Sequence, residues 1–219
     1  SVLYTVTPSI GACSGSPVTT TYTVNPVPVG LVSPTGAVTL CDGISTNYAL
    51  SSTVTVGTGT SFVWSSAVTN GAMTNNSSCT GVCGSSIIDA LHPQNNAPAT
   101  VAYTITPSAN GCTGSSYTQS VTVNPIPVAV STTGSNFCQT GTTAVSLSSN
   151  TDPYTTYNWT TSGSSSHVSG FSNGSGSSGT ISQSLTSNSG NAIESVLYTV
   201  TPSIGACSGS PVTTTYTVN

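Results

Sequence analysis

The sequence contains no lysine and no arginine in its 219 residues. Proteins that bind nucleic acid neutralise phosphates with these side chains, so nucleic-acid binding is excluded. The same absence excludes a P-loop lysine, an arginine finger and a Schiff-base lysine. It also excludes the lysine–asparagine isopeptide bonds that stiffen some surface fibres. Any covalent crosslink in this chain must therefore be made by cysteine.

Acidic residues and histidines are almost as scarce, and the formal net charge is −4. The chain has four acids and two imidazoles: Asp42, Asp89, Asp152, Glu194, His92 and His167. Scattered acids make a poor calcium site, because calcium requires clustered oxygen ligands. A zinc site built from Cys79, Cys83 and His92 lacks an evident fourth ligand. We predict no catalytic residues, no metal and no cofactor, and therefore a protein that is not an enzyme.

Long hydrophobic runs are also missing. No stretch approaches the 18 apolar residues of a membrane span, so no membrane insertion is expected. No window shows a helical repeat. Val, Ile, Thr and Tyr are abundant instead, and these residues favour β-strands.

An exact internal repeat sets the domain organisation. Residues 1–25 reappear unchanged as residues 195–219, which gives a period of 194 residues, and residues 101–129 are a weaker copy of the same block. We predict three segments: an N-terminal hairpin (residues 1–25) that copies 195–219, unit 1 (residues 26–124) and unit 2 (residues 125–219). Such spacing is typical of arrays of small domains, of which this chain would be an excerpt.

The alternation of side chains predicts an all-β fold. Val101, Tyr103 and Ile105 are bulky at every second position, and Val196, Tyr198 and Val200 repeat the pattern. In each unit a turn rich in Pro, Ser and Gly follows, and then a second strand, so each unit ends in an antiparallel hairpin. Further strands are predicted at 37–40, 46–56, 61–66, 85–89, 144–149, 155–161 and 180–185. Six or seven short strands per unit indicate tandem Ig-like β-sandwiches arranged as a rod or fibre.

Two tryptophans occupy matching positions in the units. Trp64 and Trp159 lie 95 residues apart, each within a predicted strand. We predict that each anchors the core of its sandwich, and a sugar-stacking role is the alternative.

Each unit carries one early and one late cysteine. Cys41 aligns with Cys138, and Cys112 aligns with Cys207. We predict three disulfides: Cys41–Cys112, Cys138–Cys207 and Cys79–Cys83. The larger loops would each stabilise a unit by roughly 4 kcal/mol. Disulfides indicate an oxidising, extracellular location.

Cys13 is left unpaired by this scheme. It is the copy of Cys207, so its partner is expected in a preceding period.

The junctions between the segments are rich in proline. They read VNPVPVG and VNPIPVA, with prolines at positions Pro26, Pro28, Pro125 and Pro127. Proline fixes its own φ and holds the preceding residue extended, so we predict short, stiff junctions.

A Gly- and Ser-rich run covers residues 162–179. Its composition predicts a long flexible loop, and a contact or O-glycan-bearing loop is the alternative.

The same sequence blocks carry a family resemblance. YTITPSANGCTG followed by VTVNPIP, and YTVTPSIGACSG followed by YTVN, resemble the PKD-like and Ig-like tandem repeats of large secreted surface proteins of Bacteroidota, of the gliding and adhesion type. The resemblance implies a β-sandwich, a cell-surface or secreted location and a structural or adhesive role. It implies no catalytic residues.

These observations favour a structural repeat of an extracellular filament or cell-surface stalk, whose partners are other copies of the same repeat. The alternative is an adhesin repeat that binds glycans or another surface through Thr-rich faces or through Tyr154, Tyr157 and Phe171. The copies could form one covalent chain. They could also be separate subunits in which residues 1–25 supply two strands to a neighbour.

Overall fold

A computed structural model describes residues 1–54, 60–130 and 132–219. These residues form an all-β protein of tandem Ig-like units. Within them, no helix is long and apolar enough to cross a membrane. The predicted strand 46–56 appears as a strand over Tyr48–Ser52, and its last two positions lie outside the described residues.

The N-terminal hairpin is a two-stranded ribbon with a short second ladder near its turn. Its strands are β1 (Val2–Val6), β2 (Ser9–Ile10), β3 (Cys13–Ser14) and β4 (Val18–Tyr22). β1 pairs antiparallel with β4, and β2 pairs with β3.

Unit 1 is a sandwich of two main sheets. Its strands are β5 (Gly30–Ser33), β6 (Val38–Cys41), β7 (Tyr48–Ser52), β8 (Ser61–Asn70), β9 (Met73–Thr74), β10 (Cys79–Cys83), β11 (Ser86–Ile87), β12 (His92–Pro93), β13 (Ala99–Ala109), β14 (Cys112–Thr113) and β15 (Tyr117–Asn124). One sheet has the order β10-β8-β13-β15-β6, with β14 paired to β13, and the other has the order β11-β7-β5. β9 and β12 form a small separate ladder.

Unit 2 repeats this plan. Its strands are β16 (Asn136–Phe137), β17 (Thr140–Thr142), β18 (Val145–Leu147), β19 (Thr156–Gly163), β20 (Val168–Ser169), β21 (Gly174–Gly176), β22 (Gly179–Ile181), β23 (Ser184–Ser187), β24 (Glu194–Ile204), β25 (Cys207–Ser208) and β26 (Val212–Val218). Its larger sheet has the order β16-β26-β24-β19-β21, with β25 paired to β24. The partner sheet has the order β17-β23-β20, and β18 pairs with β22.

The terminal hairpins form as the side-chain alternation predicts. β13 pairs antiparallel with β15, and β24 pairs antiparallel with β26. Alternate residues of β13 and β24 are buried, and they include Tyr103 and Tyr198 at the centres of the two cores. Hydrophobic burial on one face of each hairpin therefore holds it to its sandwich.

One pairing in each unit is parallel. β6 runs parallel to β15, which places Cys41 opposite Asn124 at the end of the last strand of unit 1. β16 runs parallel to β26 in the same way, with Phe137 opposite Val218. An early strand of each unit therefore ends beside the last residue of that unit's final strand, where the chain leaves the unit.

The two predicted core anchors differ in depth. Trp64 is 9% exposed and belongs to the core of unit 1. Trp159 is partly buried and packs against the core of unit 2, and its indole nitrogen donates a hydrogen bond to the Ser172 carbonyl at 3.1 Å.

The Gly- and Ser-rich run is not one long loop. It contains β20 and β21, and β21 pairs with β19 at the edge of the larger sheet of unit 2. The flexible-loop prediction is wrong because backbone hydrogen bonds can form a strand without large side chains. The ring of Trp159 covers Gly174 so closely that a Cβ there would collide with it.

Candidate functional site

The junction between the two units is joined by a disulfide. Cys41 of unit 1 is bonded to Cys207 of unit 2, with 5.4 Å between their Cα atoms and a sequence separation of 166. Cys41 ends β6 and Cys207 begins β25, so each sulfur is carried by a hydrogen-bonded strand. The bond is an interdomain crosslink.

The predicted pairings Cys41–Cys112 and Cys138–Cys207 are wrong. Cys112 begins β14, which comes before the start of β15, whereas Cys41 lies opposite the last residue of β15. A strand of that length spans about 25 Å, well beyond the roughly 7 Å limit between bridged Cα atoms. The early and late cysteines of one unit therefore lie at opposite ends of it. Cys112 and Cys138 are free, as is Cys13.

Asn124 connects the units by hydrogen bonds beside the disulfide. Its carbonyl oxygen accepts a hydrogen bond from the Asp42 amide at 2.9 Å, which ties it to unit 1. Its side-chain amide donates to the Ile204 carbonyl at 3.2 Å. Ile204 begins the late turn of unit 2, which is the segment that joins β24 to β26; the late turn of unit 1 is the corresponding segment between β13 and β15. Asn124 is buried. This role of Asn124 was not predicted, although Asn recurs before the first proline of each junction, which is a signal for it.

The late turn of unit 2 also packs against the linker that enters the unit. A Cβ on Gly209 would collide with the carbonyl oxygen of Pro127, so this close approach requires glycine. Gly114 has the same relation to Pro28 in unit 1.

The junction prolines are enclosed to different degrees. Pro125 and Pro127 are buried between the units, and Pro28 is buried at the entry to unit 1. Pro26, the counterpart of Pro125, is exposed. Packing around the prolines restricts the junction between units 1 and 2 beyond the stiffness of the linker itself.

The N-terminal hairpin meets unit 1 in a similar way. The side-chain amide of Asn25 donates to the Asn110 carbonyl at 3.0 Å, in the late turn of unit 1. The sulfur of Cys112 lies 3.9 Å from the Asn25 carbonyl oxygen. Asn25 thus contacts the late turn of unit 1 much as Asn124 contacts the late turn of unit 2.

The far end of unit 2 repeats the exit geometry of unit 1. The Gln139 amide donates to the Asn219 carbonyl at 2.6 Å, as Asp42 does to Asn124. Cys138, immediately before Gln139, is exposed.

The remaining disulfide is local. Cys79 and Cys83 are joined within β10, with a Cα separation of 6.0 Å, which is the predicted pairing. It closes a short loop at the edge of unit 1.

Two carboxyl groups, the buried Asp89 and the half-buried Asp152, are held by tyrosines inside the units. The Tyr103 hydroxyl donates to Asp89 at 2.5 Å, and the Ser77 amide donates to the same oxygen at 2.7 Å. Burial, and then the contact with Asp89, raises the pKa of Tyr103 well above its usual value. In unit 2 the Tyr157 hydroxyl donates to Asp152, and burial followed by this contact raises its pKa to about 12. These are structural contacts.

Each histidine lies beside one carboxyl group. His92 pairs with Asp42 at 2.6 Å, and His167 lies 3.8 Å from Glu194. Hydrogen bonds from Ser164 and Ser165 lower the pKa of Glu194. Over residues 1–54, 60–130 and 132–219, no three His, Cys, Asp or Glu side chains come together to hold a metal ion.

The aromatic residues considered for surface binding are mostly enclosed. Tyr157 is fully buried, and Phe171 packs against the core of unit 2. Tyr154 is 50% exposed. Of the three, Tyr154 alone presents half of its surface to a ligand.

Rows of hydroxyl groups cross the outer faces of the larger sheets. In unit 2, Thr199 lies opposite Thr160 on one side and Thr213 on the other. In unit 1, Thr104 lies opposite Ser65 and Thr118.

A family model for the PKD-like domain matches residues 38–127 and 135–219. The chain belongs to the PKD-like domain family. The two matches correspond to the larger part of each sandwich, so both units are PKD-like. Ig-like and PKD-like folds of this kind are typical of non-catalytic structural domains, and together with disulfides they are typical of extracellular proteins. No curated protein matches the chain.

Several solved structures are similar to this chain with PKD-like units at low identity. An I-band fragment of titin, I67–I69, is 10% identical with a TM-score of 0.46, over 89% of this chain and 66% of that one. The Yersinia pseudotuberculosis adhesin InvE is 14% identical with a TM-score of 0.32, over 88% of this chain and 58% of that one. Domains 4 and 5 of the S-layer protein SbsC are 15% identical with a TM-score of 0.30, over 87% of this chain and 96% of that one.

Proposed function

We propose that the chain is a structural repeat of an extracellular filament or cell-surface stalk, with a period of two PKD-like units and no catalytic role. Its partners are other copies of the same repeat. The disulfide between Cys41 and Cys207 carries the proposal, because it joins neighbouring units and does not close a loop within one of them. A crosslink at that place resists separation and bending of the units, which is a mechanical task.

The rest of the junction supports the same task. Asn124 bonds to both units, and the linker prolines are buried between them. Each of these contacts would be lost if the units moved apart, so they add to the restriction that the disulfide imposes. The resemblance to surface proteins of the gliding and adhesion type in Bacteroidota agrees with a stalk or fibre.

The composition of the chain agrees with an extracellular location. The chain offers no lysine or arginine for trypsin-like proteases to cleave. Its low net charge gives little repulsion between neighbouring molecules, so lateral association of fibres is not opposed by charge.

Electron microscopy of chains with one, two and four tandem periods tests the proposal. Two sandwiches should add roughly 60 to 90 Å per period, from a rise of about 3.3 Å per strand residue. We expect thin rods whose contour length grows linearly with the number of periods. Globular particles, or lengths that do not scale with the number of periods, would contradict a filament role. Antibody labelling of intact producing cells tests the location.

An adhesin repeat is the second candidate, favoured by the Thr rows on the outer faces and by exposed Tyr154. A glycan array probed with the native chain and with Tyr154→Ala tests it. Binding that Tyr154→Ala or Thr199→Ala abolishes would support adhesion, and Thr186→Ala, on the smaller sheet, is the matched control. An array without signal would leave only the structural role.

A further inference from the structure

The three free cysteines occupy the positions of the two cysteines that are joined. Cys112 and Cys13 stand where Cys207 stands in the late turn, and Cys138 stands where Cys41 stands in the early strand. Each free cysteine therefore corresponds to one of the two positions that the Cys41–Cys207 disulfide joins.

The exit end of unit 2 has the geometry that holds Cys41. β16 runs parallel to β26 and brings Phe137 opposite Val218, as β6 brings Leu40 opposite Val123. The amide after each cysteine donates to the last Asn of the unit, at 2.6 Å for Gln139 and 2.9 Å for Asp42. Cys138 is thus presented at this end of unit 2 as Cys41 is at the end of unit 1.

The entry end of unit 1 has the geometry that holds Cys207. Asn25 donates to the late turn of unit 1 as Asn124 donates to the late turn of unit 2. The sulfur of Cys112 lies 3.9 Å from the Asn25 carbonyl, in the place where the early strand of an adjoining unit would end. Asn124 is the counterpart of Asn25, and the residue opposite Asn124 in unit 1 is Cys41.

We propose that Cys138 of one repeat and Cys112 of the next form the same interdomain disulfide as Cys41 and Cys207, so that every junction of the array is crosslinked. Cys13 is the counterpart of Cys207 at a further junction of the same kind. The proposal deepens the filament function and rests on the proposed tandem arrangement. It assigns a role to every cysteine outside the local Cys79–Cys83 loop.

The bond forms by thiol–disulfide exchange with an oxidant of the disulfide class. The Cys138 thiolate attacks that disulfide and releases one thiol, which leaves a mixed disulfide on Cys138. The Cys112 thiolate then attacks the Cys138 sulfur and releases the second thiol. The two cysteines lose two electrons and two protons in all, and the oxidant is reduced to two thiols.

The test uses residues 1–219 and a longer chain in which residues 26–219 follow Asn219 directly. The added segment keeps the spacing of the internal repeat, because Asn219 is the copy of Asn25, after which Pro26 follows. Both chains are oxidised with oxidised glutathione and alkylated, and their thiols are counted by intact mass under denaturing conditions. Thermolysin peptides, separated without reduction, identify each bridge.

The proposal predicts three thiols in residues 1–219, namely Cys13, Cys112 and Cys138, and still three in the longer chain. The new junction consumes the first copy's Cys138 and the second copy's Cys112. Five thiols in the longer chain would overturn the proposal, because the added junction would then lack its disulfide. A single thiol in both chains would mean that cysteines pair within units, which would also overturn it.

Replacing Cys138→Ser in the first copy serves as the control. It should expose exactly one new thiol, on the second copy's Cys112, and leave every other bridge unchanged. Replacing Cys79→Ser should instead free Cys83 and leave the junction peptide intact. The readout requires no filament, so failure to form rods in the microscope and failure to form this bridge are separate results.

Discussion

Cys41 and Cys207 lie 5.4 Å apart at their Cα atoms although 166 positions separate them in the sequence, and they belong to different units. The contact arises because β6 runs parallel to the last strand of unit 1 and ends where unit 2 begins. The late turn of unit 2 folds back towards the linker that enters that unit, where Gly209 meets Pro127. The two cysteines therefore meet at the junction.

Removing this crosslink should destabilise both units. With unit 1 folded, the linker and the disulfide close a loop of about 80 residues of unit 2, which is worth about 4 kcal/mol in the chain-entropy model. We expect the double variant Cys41→Ser/Cys207→Ser to lower the free energy of unfolding by about 4 kcal/mol. Guanidinium unfolding followed by circular dichroism measures the change.

The matched control is Cys79→Ser/Cys83→Ser, whose loop is only a few residues long. It should cost about 2 kcal/mol, because the entropy of closing a short loop is smaller. Equal losses in the two double variants would show that the interdomain bond does not constrain the unfolded chain as described.

Gly209, two residues after Cys207, should be essential for the junction. Gly209→Ala places a Cβ against the Pro127 carbonyl, so the late turn must shift away from the linker. We expect a loss of about 1 to 3 kcal/mol, as for other overpacked sites, and slower formation of the Cys41–Cys207 bond.

Gly84→Ala is the control, because no atom of the described residues lies within 4 Å of the Cβ that it adds. Quenched oxidation followed by mass spectrometry compares the rates of bond formation in the two variants. Equal rates and equal stabilities would contradict the close approach of Gly209 to Pro127.

The sequence was sufficient to predict the hairpins but not the cysteine pairing. Alternation in Val101, Tyr103 and Ile105 reports directly which face of a strand is buried, so β13 and its partner were predictable. The spacing of Cys41 and Cys112 shows only that each unit has an early and a late cysteine. Which end each one occupies depends on the parallel pairing of β6, which is a non-local contact.

The Gly- and Ser-rich strand β21 was unpredictable for a related reason. Its residues carry no alternating apolar pattern, and it is held by backbone pairing to β19 and by the ring of Trp159 over Gly174. Likewise, the bridging role of Asn124 depends on how the late turn of unit 2 is placed. Local patterns do not encode such contacts between distant segments.

Tyr103→Phe should destabilise unit 1 more than Tyr157→Phe destabilises unit 2. Without the Tyr103 hydroxyl, the buried Asp89 carboxyl oxygen keeps the Ser77 amide as its one remaining partner among the described residues. We expect a loss of about 2 kcal/mol for Tyr103→Phe. Asp152 is less buried and also accepts a hydrogen bond from the Ser149 amide at 3.0 Å. Tyr157→Phe should therefore cost about 1 kcal/mol. Denaturant unfolding of both variants checks the order, and the reverse order would contradict it.

Stability should fall in alkaline solution. Burial raises the pKa of Tyr48, Tyr103, Tyr117, Tyr157 and Tyr198 in the folded protein. Above pH 10 the unfolded chain loses phenolic protons that the folded protein retains, so the free energy of unfolding decreases as pH rises. Each such tyrosine contributes at most about 1.4 kcal/mol per pH unit.

For Tyr157 the loss should be complete near pH 12, where its folded-state pKa lies. Thermal unfolding between pH 8 and pH 12 measures the trend, and the slope should be shallower in Tyr103→Phe than in the native chain. A melting temperature that is independent of pH above 10 would contradict buried, protonated tyrosines.

Identical residues should behave differently in the two copies of the repeated hairpin. Tyr198 is fully buried in unit 2 and donates a hydrogen bond to Gln183 at 2.8 Å, whereas its copy Tyr4 is 54% exposed in the N-terminal hairpin. We expect Tyr198→Ala to cost about 3 to 5 kcal/mol, as for other large core side chains. Tyr4→Ala should change the stability of the two units by less than about 0.5 kcal/mol.

The same pair of variants tests whether residues 1–25 supply strands to a neighbouring molecule. If the hairpin inserted into another copy, Tyr4 would become buried as Tyr198 is, and Tyr4→Ala would then weaken self-association. Sedimentation velocity and binding of an apolar dye, measured on Tyr4→Ala and on the native chain, separate these cases. A monomer whose dye binding falls in Tyr4→Ala indicates an open apolar face, and an oligomer that Tyr4→Ala dissociates indicates strand exchange.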